Sequence, residues 1–468
     1  MTIKLKFLGG TGSVTGSRYL IEADNTRVLI DCGMYQERQY RGRDWEPFPV
    51  NLKQIDAIFL SHAHLDHCGL LPKLVRDGYR NRVYCTPATR DIAEIILLDS
   101  AELLMEDAEY KKRRHRKEGK RGPYPERPLY TTDDVEASMP LFTAREYNQP
   151  IVIKKNIEVT FLEAGHTLGS AMLRLRMKDN KEERTIIFSG DLGRQNKPIL
   201  MDPTNIKTAD YVVIESTYGD RVIESPTDMS EKLAEYINRT IEAGGNIVIP
   251  SFALERAQEV LYYLNQLLIK NAIPHLMVFL DSPMAIKITE VFLRYKELMD
   301  EETTAFMRKG RSPFDFTGLN LVRTTEQSKA INRIKGTVII IAGSGMCTGG
   351  RIKHHLVTNI SRPDSTILFV GYQAMGTLGR EIVDGAQEVR ILGDYYPVRA
   401  QVVYLQGFSG HADREQLLAW LLGLKKPPKR VFVTHGEPSA SKAFTDMAKE
   451  KTGWNVTAPE YGDEITLD

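Results

Sequence analysis

The run Ser61-His62-Ala63-His64-Leu65-Asp66-His67 sets three imidazoles and a carboxylate within six residues. These side chains bind divalent metal, and catalytic zinc takes ligands of both kinds. Ile58-Phe59-Leu60 ahead of the run reads as a buried strand, and Leu70 to Val75 behind it as a helix. In an extended loop at a strand end, His62 and His64 point to one side. A turn into the helix then presents Asp66 and His67 from another direction, so one segment could serve two adjacent ions. A solvated histidine-rich turn needs no such spacing, and its flanks would be polar rather than apolar.

Other polar residues occupy the same kind of position. Asp31 follows Val28-Leu29-Ile30, His166 follows Gly165, and Asp191 follows Phe188-Ser189-Gly190. His411 lies in Ser409-Gly410-His411-Ala412-Asp413, and His435 ends Val431-Phe432-Val433-Thr434. Each comes just after an apolar run or a small-residue turn, where the backbone can approach an ion or ligand closely. Any one of them alone is better explained as a cap or a satisfied polar group. Together with the histidine run they read as one shared site.

The elements that must position these groups fall into two textures. Up to about Thr217, short apolar runs end in glycine or polar residues, as at Val159 to Leu162, Ile186 to Phe188 and Val212 to Ile214. Such runs suit the strands of a sandwich. From Tyr218 to Arg399, strand-like and helix-like stretches alternate: Asn246 to Pro250 then Leu254 to Leu268, Leu276 to Leu280 then Ala285 to Leu298, Val338 to Ile341 then Arg351 to Val357. That alternation predicts a parallel α/β sheet. After Ala400 the first texture returns, in Val402 to Leu405 and Val431 to Val433. At 468 residues the chain exceeds one typical core, so one domain interrupted by another is expected.

The set His62-x-His64-x-Asp66-His67, Asp31, His166 and Asp191 resembles the metallo-β-lactamase fold. Glu215-Ser216-Thr217-Tyr218-Gly219, Gly410-His411-Ala412-Asp413 and Thr434-His435-Gly436-Glu437 resemble motifs A, B and C of its β-CASP branch of nucleic-acid nucleases. The resemblance covers nearly the whole chain. It implies an α/β protein: an αββα metallo-β-lactamase sandwich from residues 1–217 and 401–468, interrupted by an inserted parallel α/β β-CASP domain over 218–400. It implies two Zn2+ per chain, with manganese also suited to such ligands. His62, His64 and His166 would hold one, Asp66, His67 and His435 the other, and Asp191 would bridge them. Asp31 would orient a ligand. A metal-activated water would attack phosphorus with Asp66 as proton acceptor. His411, its tautomer held by Glu215, would be the general acid. The family histidine that often follows motif A is missing from Asp220-Arg221-Val222-Ile223-Glu224, which bears on substrate entry rather than metal binding.

In the resemblance, histidine at motif C accompanies RNA enzymes, so His435 favours single-stranded RNA over DNA. Glycine-rich turns in the insertion offer backbone N–H groups to anions. There, Ser251, Arg256, Ser344, Arg351, Gly376, Thr377 and Arg380 are candidate phosphate contacts. His354 and His355 read as surface or groove-wall positions. A small-molecule thioester or lactam hydrolase would need no such insertion, and a silent RNA-binding scaffold would not keep every ligand. The chain ends soon after His435 and starts directly in a strand, so neither an appended domain nor a leading RNA-binding module is expected, which favours endonuclease over 5′ exonuclease action.

Lys and Arg (62) nearly cancel Asp and Glu (61), so any polyanion surface must be local. The basic run Lys111 to Arg121, which follows a helix-like stretch from Ile92 to Tyr110, is one such place, either a solvated or mobile helix end or an electrostatic arm for phosphates. Cys32, Cys68, Cys85 and Cys347 show no CxxC spacing. With no signal peptide and no membrane span, a cytoplasmic protein is expected. A homodimer is compatible with all of this.

Overall fold

The computed structural model describes residues 3–119, 124–178, 183–223 and 227–468, with the backbone alone for Thr227 and Asp228. Lys120 to Pro123 and Glu224 therefore lie outside the described residues. The chain divides into two units, Met1–Gln195 with Asp202–Val222 and His411–Asp468, and Asn196–Met201 with Ile223–Gly410.

Among the described residues the first unit holds two seven-stranded sheets. One runs Glu464–Leu467, Ile3–Phe7, Tyr19–Ala23, Thr26–Ile30, Ala57–Phe59, Arg82–Cys85, Phe142–Ala144. The other runs Val456–Thr457, Arg430–Val433, Tyr211–Ile214, Glu183–Phe188, Ala171–Lys178, Ile157–Glu163, Ile151–Ile153. Their facing sides close a common core in which Phe59 meets Phe161 at 6.0 Å and Phe7 meets Phe432 at 5.4 Å. Strand alternation sorts the faces. Tyr211 and Val213 enter that inner core, while Val212 and Ile214 pack outward against Leu417, Leu421 and Phe444. These belong to the helices Arg414–Leu422, capped by the Asp413 carboxylate on Glu415 N and Gln416 N, and Pro438–Thr452, opened by proline and closed by Gly453.

The helix expected over residues 92–110 is longer. It spans Pro87–Glu118, starts at the Thr86 cap and stops at left-handed Gly119. The basic run has no helix breaker before Gly119, and Lys and Arg are good helix formers, so the helix carries on to Glu118.

The second unit is built on a six-stranded sheet in the order Leu319–Leu321, Met277–Asp281, Val338–Ala342, Ile247–Pro250, Thr366–Phe369, Gln401–Tyr404, with every pair parallel. The alternation of strand and helix is thus that of a parallel α/β layer. The boundary expected after residue 400 is corrected: Gln401–Tyr404 pairs with Thr366–Phe369, and the chain re-enters the first unit at His411. A short apolar strand carries no mark of which sheet receives it. Residues 196–201 also belong to the second unit, where Leu200 bridges Met299 and Asp300 N donates to Ile199 O.

Lys197 anchors that short segment. Its ammonium is 2% exposed and lies 2.8 Å from Glu255 and 3.3 Å from Glu259. Removing one partner of such a buried pair leaves unpaired charge. Lys197→Met should lower the free energy of unfolding by about 3–5 kcal/mol in chemical denaturation. Arg380→Gln, which breaks a solvent-exposed pair with Asp384, should cost under about 1 kcal/mol.

Candidate metal centre

Most of the groups that matter gather at the carboxyl ends of parallel-paired strands, while His166 follows Ile157–Glu163, which is antiparallel to both neighbours. In the first sheet Thr26–Ile30 and Ala57–Phe59 run parallel and deliver Asp31 and the histidine run. In the second, Glu183–Phe188, Tyr211–Ile214 and Arg430–Val433 run parallel and deliver Asp191, Glu215 and His435. After Ala57–Phe59 the chain bends at Ser61 and again at Ala63 and His64, then enters the short helix Leu65–Cys68, which brings the His67 ring to 4.1 Å from that of His62. The loop after Asp31 packs directly on that turn. Cys32 N donates to His67 O at 2.7 Å, and a Cβ on Gly33 would lie 1.6 Å from Asp66 O, so only glycine fits there.

Two ligand groups form around the histidine run, His62 with His64, His166 and Asp191, and Asp66 with His67, His435 and Asp191; the ligand atoms of each lie within 4.8 Å of one another, as do those of a third set, Asp191 with Glu215 and His411. Asp191 is common to both, and its two oxygens divide between them. Oδ2 lies 3.4 Å from His62 Nε2 and 3.5 Å from His166 Nε2. Oδ1 lies 3.1 Å from His67 Nε2 and 3.3 Å from His435 Nε2. Asp66 Oδ2 is 3.9 Å from both His67 Nε2 and His435 Nε2. His64 turns its Nδ1 to His62 and His166, at 3.0 and 3.2 Å. Ligands about 2.0–2.1 Å from one tetrahedral ion sit about 3.3 Å apart, so these spacings suit a shared metal.

Outer groups fix the rings. Asp31, with φ of 57°, accepts from Ser61 N at 2.7 Å and Ser61 Oγ at 2.8 Å, and lies 2.8 Å from His67 Nδ1. With that bond the His67 Nδ1–H faces Asp31 and its Nε2 faces Asp191. His62 Nδ1 meets Ser61 Oγ at 3.0 Å, and His435 Nδ1 meets Ser17 Oγ at 2.9 Å. The two serines were not anticipated. Ser17 closes the stretch Gly9 to Gly16 after the first strand, and that crowding of glycine and hydroxyls was the signal available.

The donor set fits divalent metal. His67 Nε2 and Asp191 Oδ1 are buried with no hydrogen-bond partner, which an ion between the ligands would satisfy. Burial pushes the His64 and His166 imidazoles well below their usual range, and His435 to about 3, so these three are neutral, the form that coordinates metal. Burial opposes the charge of Asp191, yet the surrounding imidazoles hold its carboxyl well below the ordinary value.

His411 stands beside this cluster. Its Nδ1 is 3.1 and 3.2 Å from the Glu215 oxygens and its ring 4.5 Å from that of His166. Glu215 is fixed in turn by Leu192 N at 2.6 Å and Thr217 N at 3.2 Å. Burial disfavours the His411 proton, but Glu215, with Asp191 and Asp66, outweighs it and raises the imidazole above its usual range.

The predicted phosphate contacts of the second unit are differently placed. Arg256 is buried and held by Glu259. Arg351 gives its guanidinium to Asp281 at 2.6 Å and to the carbonyls of Val322 and Arg323. Arg380 pairs with Asp384 at 2.8 Å. These three are thus engaged by their own unit rather than presented bare. Ser251 Oγ bonds Phe252 O, Ser344 Oγ accepts from Thr348 N and Gly349 N, and Thr377 caps the helix Leu378–Val383 just after left-handed Gly376. His355 is corrected: it is buried, with Nε2 2.7 Å from Asp281, while His354 is exposed. A turn motif shows the arginine but not the carboxylate that the neighbouring strand end brings to it.

Comparison with known proteins gives concordant matches. Residues 20–212 match a metallo-beta-lactamase superfamily domain, 257–382 a Beta-Casp domain, and 395–459 a Zn-dependent metallo-hydrolase RNA specificity domain. Ribonuclease TTHA0252 of Thermus thermophilus is 38% identical over 98% of this chain and 99% of its own. Transcription termination factor FttA of Methanosarcina mazei is 34% identical over 95% and 68%, and an RNase J-like protein of Methanocaldococcus jannaschii 31% over 94% and 94%. A crystal structure of a protein of unknown function from Enterococcus faecalis V583 shares the fold over the full length of both chains, at a TM-score of 0.56 and 13% identity.

The Asp31 contact has a measurable consequence. Asp31→Asn keeps the shape but presents an amide to His67, and should weaken zinc binding by about 10–100-fold in competition with a chelator.

Proposed function

The chain belongs to the β-CASP branch of the metallo-β-lactamase superfamily, and on that premise we propose that it is a metal-dependent ribonuclease that hydrolyses phosphodiester bonds of single-stranded RNA. The observation that supports this most is the division of Asp191 between two ligand groups with His411, braced by Glu215, alongside. His62, His64 and His166 with Asp191 would hold one zinc ion, and Asp66, His67 and His435 with Asp191 a second. When bound, such ions supply Lewis acidity, making water nucleophilic near neutral pH and offsetting charge on a phosphoryl oxygen.

The chain's own residues supply the rest. Asp66, half-buried beside His67 and His435, accepts the proton of the attacking water. As the new P–O bond forms and the bond to the leaving sugar oxygen breaks, protonated His411 gives that oxygen a proton from Nε2. Glu215 holds the Nδ1–H and keeps the ring aimed. His435 in motif C favours RNA over DNA, and the mode is endonucleolytic, with 5′ exonucleolytic action on the same centre as the alternative. A cytoplasmic role in RNA processing or decay follows.

Single-stranded RNA labelled in turn at each end, with DNA of the same sequence beside it, tests this reading. Metal-loaded wild type should give internal products from RNA alone; mononucleotides from the 5′ end would move the mode to exonuclease, and no cleavage of RNA would sink the proposal. Asp66→Ala and His411→Ala should each lose about 10²–10⁴-fold in rate with metal content kept in His411→Ala. A leaving sulfur in place of the bridging oxygen needs no proton, so it should restore His411→Ala but not Asp66→Ala.

A further inference from the structure

In the last two turns of the long helix Pro87–Glu118 the ion-paired charges and the bare cations fall on different faces, with Glu109 on the cationic side one turn earlier. Lys111 pairs with Asp107, Arg114 lies 3.4 Å from Glu118, and His115 meets Glu126 at 2.8 Å. Lys112, Arg113, Arg116 and Lys117 are exposed and, among the described residues, have no acidic partner. At 3.6 residues per turn these four fall within an arc of about 140°. The paired residues fill roughly the opposite arc. The helix dipole favours cations in the last turn only, and Lys112 and Arg113 lie a turn earlier. Tyr110, 58% exposed, flanks the stripe.

Flat aromatic surface adjoins the helix end. The His115–Glu126 contact ties it to the segment that carries Tyr124 and Arg127, and Tyr124 stacks on Trp45 at 6.3 Å with rings 14° from parallel. Trp45, Phe48, Arg76 and Arg127 line a cavity of about 460 Å3. Arg76 is engaged by Asp77 and Leu129 O, whereas the exposed Arg127 has no acidic partner among the described residues.

A cationic stripe beside stacked aromatic rings is what binds single strands: phosphates follow the charges and bases stack on the rings. We propose that this helix end and the Trp45 pocket form a second, accessory contact for single-stranded RNA, resting on the ribonuclease reading above. The first turn of the helix abuts the loop of the metal centre, since Thr86 and Thr89 hydroxyls donate to Gly169 O, three residues past His166. At 1.5 Å per residue the stripe lies about 40 Å farther along the helix. At the stacked spacing of about 3.4 Å per nucleotide, about twelve nucleotides cover that length. The contact therefore serves long RNA and leaves short RNA untouched.

The test compares a 5-mer and a 25-mer single-stranded RNA by fluorescence anisotropy over a salt series, with the metal-loaded full chain carrying His411→Ala to suppress turnover. Replacing Lys112, Arg113, Arg116 and Lys117 with glutamine, an equally good helix former, should weaken the 25-mer by about tenfold and flatten its salt slope by about 0.7 for each phosphate no longer neutralised. The 5-mer should not change. The charge-keeping set K112R, R113K, R116K and K117R should bind like the parent, and Trp45→Leu should weaken the 25-mer with the slope kept. An unchanged 25-mer, or equal weakening for both lengths, would overturn the accessory contact. So would stripe-dependent binding to phosphatidylserine vesicles with RNA affinity unaffected. Wild type that binds the 25-mer through the stripe yet cleaves no RNA would defeat the ribonuclease reading alone.

Discussion

Asp191 is the constraint around which the first unit is arranged. A carboxylate almost wholly withdrawn from water has four imidazole nitrogens 3.1–3.5 Å from its oxygens. Taking one ion out of water costs several kcal/mol even after relaxation. Positive charge between the rings and the carboxylate is what makes such a cluster tolerable, and it also accounts for buried nitrogen and oxygen atoms that no protein donor or acceptor reaches. Metal affinity and the integrity of this corner of the fold are therefore one quantity seen two ways.

Meeting that constraint decides the backbone. Ligands arrive from parallel strands of both sheets, and at the strand ends the chain must turn within a residue. Asp31 and His435 both do so with φ near +50°, at 57° and 48°, a region that costs a non-glycine residue of the order of 1–3 kcal/mol. Both are held there by bonds from several directions: Asp31 N to Phe59 O and its carboxylate to Ser61, His435 N to Gly10 O and its ring to Ser17. The sandwich core, with its aromatic contacts across the sheets, keeps those strand ends in register.

Much of this was legible in residue order because the chemistry is local. The histidine run bears its own local geometry, a bent stretch after the strand and then a helix turn. The strand ends at Asp31, Asp191 and His435 showed as apolar runs that stop at a polar residue, and the resemblance supplied their grouping. What was not legible depended on partners distant in sequence. Ser17 acts through a ring more than four hundred positions away. The strand Gln401–Tyr404 looks the same whichever sheet accepts it. Arg351 looked available because Asp281, seventy residues earlier, is adjacent only once the parallel strands are paired. The length of Pro87–Glu118 was underestimated because charge was read as an end of structure, although lysine and arginine prolong a helix.

The order in which the ligands occur along the chain has a consequence for the protein's own synthesis. His62 to Asp191 are made early, but the strand that bears His435, and His411 just before it, follow only after the whole inserted unit. At about 5–20 residues per second, about 10–50 s separate the two. During that interval the nascent chain, still attached to a message, carries one ligand group complete and the other lacking a histidine, with His411 not yet made. A potential hydrolase of RNA thus emerges from the ribosome unarmed, and becomes competent only when nearly all of it has been made.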